Sequence, residues 1–280
     1  MIPGGPDLLI VGGLTIDRLA DGSTVAGGSV LHAARAAVGA GRRVATITAA
    51  GPDPEARAAV AELVSLGPCL ASAAAASIRF AIHHEGGARR LLLEGKGSMV
   101  RALDAELADL APRAVLLAPV AGEVPVATVR ASKVIPTRVA ALQGWLRRLV
   151  AGDEARPMPL SELGGELTMA LADLDALVVS DDDLAAVVGN PRRQLASLRA
   201  AVGPRPMLAL TTGADGTWLL DRGAGVRHLH VPRRLEAIST VGAGDAFAGL
   251  LAIALADALN PEEAVAAAME GAAAYLGTRP

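Results

Sequence analysis

Ser239-Thr240-Val241-Gly242-Ala243-Gly244-Asp245-Ala246-Phe247 carries three small residues straight into an aspartate, and an apolar, Ala-rich stretch follows as far as Leu259. The pattern reads as a tight turn that opens a helix. Glycines let backbone N–H groups converge on one point, and a helix N-terminus adds positive partial charge there. Such a nest suits an anion, above all phosphate. Asp245 stands at its lip, where a carboxylate could take a proton from an incoming hydroxyl. A phosphate cradle beside a base is what phosphoryl transfer to an alcohol requires. The same string also reads as an ordinary turn with Asp245 as a helix cap, so the rest of the chain must decide.

Working outward, short apolar runs alternate with helical stretches. Residues 7–11, 44–48, 114–118, 176–179, 207–211 and 217–220 read as strands. Residues 29–38, 55–66, 182–188, 192–201, 243–258 and 261–275 read as helices. Residues 77–84 and 89–94 flank Glu85-Gly86-Gly87 and read as a hairpin. Residues 121–160 read as loops around a short helix at 143–149. Strands alternating with helices predict an α/β fold with a largely parallel central sheet and helices on both faces. Ligands of such sheets gather at the carboxyl ends of the strands. No internal repeat or linker divides residues 1–280, so a single domain is expected.

Composition narrows the function. Hydrophobic residues make up 52% of the 280, enough for a large core, but aromatics are only 2%. The core must therefore rest on Ala, Leu and Val, with little surface for stacking bases. A net charge of −3 argues against a nucleic-acid partner. Cys69 is the sole cysteine, which excludes an intrachain disulfide and a Cys-based metal site. The first residues carry no basic and apolar leader pattern, and the charge-free stretch 63–78 is too short and broken to span a bilayer. A cytoplasmic protein without membrane contact is the expectation.

Four further clusters fall at strand ends or helix starts. Asp17 follows the first strand; it reads as a surface acid or as a ligand for substrate hydroxyls. Gly27-Gly28 precede a helix that carries His32 one turn in. That histidine reads as a partly buried core residue or as a substrate contact. Ser180-Asp181-Asp182-Asp183 reads as a cap with an acidic first turn, or as a place where Asp183 orders a hydrated Mg²⁺. Thr211-Thr212-Gly213-Ala214-Asp215-Gly216 reads as a β-turn or as a backbone surface for nucleotide phosphates.

In this order the pieces resemble the PfkB family of carbohydrate and nucleoside kinases, with the ribokinase-like fold. The family's Asp-Thr-x-Gly-Ala-Gly-Asp matches Ser239 to Asp245 at six of seven places. Its Thr-x-Gly-x-x-Gly matches Thr211 to Gly216, and its Asn-x-x-Glu is met loosely by Ser180-x-x-Asp183. The early aspartate and Gly-Gly pair match Asp17 and Gly27-Gly28. The resemblance implies an ATP-dependent sugar or cyclitol kinase with Mg²⁺. It implies Asp245 as base, and the amides of Gly242, Ala243 and Gly244 as anion hole. Asp17, Gly28 and His32 fall at substrate positions. Ser180, Thr212, Gly213, Gly216 and, more loosely, Glu270 fall at nucleotide positions, and Asp183 at the metal position.

The departures set further expectations. Ser239 replaces an aspartate linked to monovalent-cation ordering, so potassium dependence is doubtful. Asp183 is one methylene shorter than Glu. The space between Asp17 and Gly27 is short for lid strands, so a small β lid is expected mainly from residues 77–94. That shape, with residues 118–123 and 143–147, is similar to short-lid members near inositol kinases. A homodimer is compatible with the resemblance. The other readings are a non-catalytic ligand-binding or regulatory protein on a kinase fold, and a nucleoside kinase. No Gly-x-Gly-x-x-Gly follows the first strand, and no Gly-x-Ser-x-Gly is present, which excludes the usual dehydrogenase and hydrolase signatures. His228 and His230 would share one strand face and could begin a metal site, but no third ligand is signalled.

Overall fold

The structure, a computed structural model, describes residues 4–85, 88–100, 109–231 and 240–278. The first apolar run forms β1 (Leu8–Gly12), which is buried throughout. Side chains alternate across a strand. Leu8 and Ile10 accordingly enter one hydrophobic core and Leu9 and Val11 the other. A strand covered on both faces reads as an unbroken apolar run for this reason.

The smaller sheet begins with β2 (Thr15–Arg18) and β3 (Thr24–Gly27), and α1 (Ser29–Gly39) follows. Next come β4 (Val44–Ala50), α2 (Pro54–Leu66), β5 (Cys69–Ala73), β6 (Ile78–Glu85) and β7 (Ala88–Lys96). The chain continues through β8 (Ala114–Ala118), α3 (Val126–Ala131), β9 (Thr137–Ala141) and the two-residue strands β10 (Arg147–Arg148) and β11 (Arg156–Pro157). It then runs through α4 (Gly165–Ala172), β12 (Ala176–Ser180), α5 (Pro191–Val202), β13 (Met207–Thr211), β14 (Thr217–Leu220) and β15 (Arg227–Leu229). The last described elements are α6 (Ala243–Ala256) and α7 (Pro261–Gly277).

Nine strands form the main sheet in the order β15-β14-β13-β12-β9-β8-β1-β4-β5. Pairing is parallel from β13 through β5 and antiparallel at β13–β14 and β14–β15. A four-stranded sheet, β3-β2-β6-β7, stands apart from it. The expected α/β architecture is therefore present.

Helices α1, α6 and α7 cover one face of the main sheet. Their small residues allow close approach: a Cβ on Gly249 would lie 3.2 Å from Ala33 Cβ. Nine residues of α6 are buried, Leu250, Leu251 and Ile253 among them. Full burial of each such large aliphatic side chain is worth roughly 1.5–3 kcal/mol. Pro261 at the first turn and a capping box between Asn260 and Glu263 start α7.

Several local expectations differ from the structure. Residues 182–188 form successive turns rather than a helix, with Leu184 N bonded to Ser180 O but Ala185 N to Asp182 O. Consecutive aspartates favour local side-chain bonding over helix propagation. Residues 143–146 turn and lead into β10, so the short helix at 143–149 is absent. β9 and α3 lie inside the stretch read as loops. The hairpin at 77–94 is present as antiparallel β6 and β7; Gly86 and Gly87 lie outside the described residues. Asp17 sits within a strand, and the space between Asp17 and Gly27 holds a second hairpin, β2–β3, that completes the four-stranded sheet.

Candidate active site

Parallel strands end together on one side of the main sheet, and the predicted residues collect there. At the end of β1, Gly12 lets the chain pass β8: a Cβ on it would lie 2.3 Å from Ala118 O. The chain then turns into β2, which places Asp17 on the smaller sheet, buried and facing the main one. Gly28 has φ +94° and would drive a Cβ to 2.3 Å from Gly13 O, so only glycine fits at this N-cap of α1. Four residues on, His32 is 3% exposed, with Nδ1 2.7 Å from the Tyr275 hydroxyl.

Against the His32 ring, Gly242 is the left-handed N-cap of α6, with φ +83°. Ala243 N donates to Thr240 O at 3.2 Å, which closes the turn, and Ala246 N donates to Gly242 O at 2.9 Å. Asp245 lies in the first turn of the helix, and its Oδ1 accepts from Gln143 Nε2 at 3.0 Å. Ser239 lies outside the described residues.

A cavity of about 190 Å³ gathers Asp17, Gly28, His32, Gly242, Gly244 and Asp245 around one space. Gln143 lines it from the turn after β9, Arg147 from β10, and Phe80 and Leu91 from the smaller sheet. A second cavity of about 240 Å³ lies against α7, walled by Val231, Phe247, Met269, Ala272 and Leu276, with Gly213 and Gly216 at its rim. Thr211, Thr240 and Gly244 line both, so the two spaces meet at the glycine turn. Thr212 lines neither; its N and Oγ1 both donate to Gly216 O, at 2.9 and 3.0 Å, and hold the Gly213–Gly216 turn shut. Glu270 is exposed and outside the second cavity, which its helix neighbours Met269, Ala272 and Ala273 line.

Ser180 and Asp183 also line the first cavity. Asp183 Oδ1 accepts from Arg147 Nε at 3.0 Å and Nη2 at 2.8 Å, and Oδ2 accepts from Ser180 Oγ at 2.6 Å. Among the described residues, no three His, Cys, Asp or Glu side chains cluster in a way that could hold a metal ion by protein ligands alone. A carboxylate already neutralised by a guanidinium does not fit a protein-built Mg²⁺ site. Neighbouring Asp181 is pushed up by burial and by the adjacent Asp182 charge. Glu123, fully buried behind the loop at Val120, is pushed up by burial against the downward pull of the Ala121 and Val120 amides.

Gln143 and Arg147 belong to the stretch 143–147 that the sequence marks only by its similarity to short-lid members, with no site role, and Phe80, Leu91 and Tyr275 carry no sequence signal, because each lies on an element with no motif of its own.

An open α/β sheet with a glycine turn and an acid at the join of two cavities defines a ribokinase-like kinase fold. Residues 131–279 match the pfkB family of carbohydrate kinases. The chain belongs to that family, and its class is the sugar-kinase phosphotransferases. No curated protein matches it significantly. Among solved structures it is similar to a pyrophosphate-dependent kinase in the ribokinase family, complexed with a pyrophosphate analogue and myo-inositol. That similarity has a TM-score of 0.76 at 16% identity and covers 98% of this chain and 96% of the other. A ribokinase from Thermotoga maritima gives a TM-score of 0.69 at 17% identity, covering 98% and 100%. Arabidopsis thaliana ribokinase, complexed with ribose and ATP, gives 0.69 at 16%, covering 99% and 100%. Among the described residues no helix is long and apolar enough to cross a membrane.

Proposed function

We propose that the protein transfers the γ-phosphoryl group of ATP to a hydroxyl of a small polyhydroxylated substrate, a sugar or cyclitol. One observation carries this reading: Asp245 and the Gly242–Gly244 turn stand where the polar cavity meets the apolar one. The polar cavity, with Asp17 and His32, takes the acceptor. The apolar cavity takes the base of the donor.

Asp245 accepts the proton of the acceptor hydroxyl as its oxygen bonds the γ-phosphorus. The bond from that phosphorus to the β–γ bridging oxygen breaks, and ADP leaves with the electron pair. Gln143 holds the carboxylate in place through Oδ1. The N-terminus of the 14-residue α6 faces the charge that develops on the transferring group. Its Ala243 amide closes the turn, which leaves Gly242 and Gly244 as the backbone that approaches the phosphoryl group. No step is assigned to a metal held by Asp183, because Arg147 occupies that carboxylate. The smaller sheet acts as the lid, with Phe80 and Leu91 toward the acceptor and strands from both 15–27 and 77–94.

Pyrophosphate has no apolar part, so a wall of Val231, Phe247, Met269 and Leu276 favours a nucleotide donor. The test is turnover of a panel of sugars, cyclitols and nucleosides with ATP and, separately, with pyrophosphate. Transfer from ATP to a sugar or cyclitol is expected. Asp245→Asn should lower kcat by about 10²–10⁴-fold, the range for a lost general base. Tight acceptor binding with no transfer from either donor would identify a sensor and sink the kinase reading.

A further inference from the structure

His228 and His230 share one strand face, and the proposed reaction uses neither. β15 pairs antiparallel with β14 and sets the half-buried His228 directly opposite Trp218. The two rings stack, with centroids 4.3 Å apart and planes 10° from parallel. His230 meets the His228 ring in a T-shaped contact, with centroids 4.2 Å apart. Arg192, at the start of α5, lies 5.5 Å from the centroid of the Trp218 ring. Contacts of these kinds fix the direction in which an imidazole points.

That direction is toward the turn at the rim of the apolar cavity. His228 Nε2 lies 2.8 Å from the Asp215 carbonyl oxygen. A carbonyl only accepts, so Nε2 carries the hydrogen and donates. Residues 213–215 form one 3₁₀ turn, in which Asp215 N donates to Thr212 O at 3.1 Å and Gly216 N to Gly213 O at 3.3 Å. A single turn cannot satisfy its last carbonyls from within, and His228 supplies a donor from the next strand. Gly216 is pressed against that strand: it has φ +107°, and a Cβ on it would stand 2.1 Å from Leu229 O.

The turn has space on both sides. Gly213, Ala214 and Gly216 line the apolar cavity. Ala214 and Asp215 also line a neighbouring cavity of about 550 Å³, together with Trp218, His228 and His230. A segment between two cavities gains little support from packing, so its shape depends on its hydrogen bonds.

We propose that His228 is a positioning residue for the phosphate donor: its Nε2–H, aimed by the stack on Trp218, braces the 212–216 turn in the shape that receives a nucleotide. The proposal rests on the reading of the apolar cavity as the site of the donor's base. It places His228 in donor affinity and outside the chemical step and acceptor binding.

The experiment compares His228→Phe, which keeps a ring on Trp218 and loses the donor, with His228→Gln, which keeps a donor. Calorimetry gives the Kd of ADP, and initial rates give kcat and the KM of ATP and of the acceptor. His228→Phe should raise the ADP Kd and the ATP KM roughly 3- to 10-fold, the usual worth of one hydrogen bond, with kcat and acceptor KM within about 2-fold. His228→Gln should bind ADP more tightly than His228→Phe. A merely structural role would move both KM values and kcat together and would leave Gln no better than Phe; either result overturns the proposal, as does unchanged ADP affinity in His228→Phe. Hydrogen exchange on the unmodified protein needs no variant to fold: ADP should slow exchange in the peptide that holds residues 212–216, and no slowing there overturns the proposal. An unmodified protein that binds no ADP but transfers phosphate from pyrophosphate overturns it too, and leaves phosphoryl transfer standing. If no acceptor is phosphorylated by either donor, the kinase reading falls, and ADP binding and exchange still decide the role of His228.

Discussion

Two glycines at the start of α6, in the turn proposed to hold the phosphoryl group, should respond to the same substitution in opposite ways. Gly242 has φ +83°, and an added Cβ would meet His32 Cγ at 2.4 Å and Nδ1 at 2.5 Å. Left-handed backbone costs a residue with a Cβ about 1–2 kcal/mol. Displacing a packed buried ring adds roughly 1–3 kcal/mol. Gly242→Ala should therefore lose about 2–5 kcal/mol, a fall of several degrees or more in Tm. Gly244 has an ordinary helical φ, and no atom lies within 4 Å of the Cβ it would gain. Gly244→Ala should leave stability unchanged or raise it by up to about 1 kcal/mol, because alanine suits a helix better. That methyl would nevertheless project where the two cavities meet. A misplacement of about 1 Å in the transferring group costs on the order of 10²-fold in rate. Gly244→Ala should thus be fully folded and at least roughly 10²-fold slower. Urea melts and initial rates on both variants decide the matter. A Gly244→Ala protein with normal kcat would mean that phosphoryl transfer does not occur at this turn.

Arg147→Gln should strand Asp183, which is 4% exposed, and cost about 2–4 kcal/mol by urea denaturation; combining it with Asp183→Asn should recover part of that loss. Glu123 binds its proton more tightly in the folded protein than in the unfolded chain, because burial raises its folded-state pKa. The stability that the wild type holds over Glu123→Gln should therefore be fully present below the ordinary carboxylate range and shrink as pH rises through and above it. An advantage that grows with pH would show that the Val120 and Ala121 amides outweigh burial. Asn260→Ala removes the side-chain half of the α7 capping box and should cost about 0.5–2 kcal/mol in a thermal melt.

The parts of the site that could be read ahead of the structure are those whose backbone demands leave a mark. Gly28 and Gly242 are positions where a Cβ would collide, so glycine spacing announces them. His32 and Asp245 follow them four and three residues on, and Asp17 stands five residues after Gly12. Gln143 comes from the turn after β9 and Arg147 from the two-residue β10, a strand too short to leave a pattern, and nothing in their spacing separates them from loop. Glu270 shows the opposite error. Each helical step rotates the side chain by about 100°, so one position decides between facing the cavity and facing solvent. The acidic run at 181–183 resembles a helix start, but its acids bind locally, one to Arg147, and no helix propagates.

Helix α7 gives Met269, Ala272, Ala273 and Leu276 to one cavity and Tyr275 to the histidine that borders the other. All five fall within two turns. Under the proposed kinase reading, a change that unwinds this segment would loosen the grip on donor and acceptor together. The two affinities are thus mechanically tied, and adjusting one through this helix would detune the other.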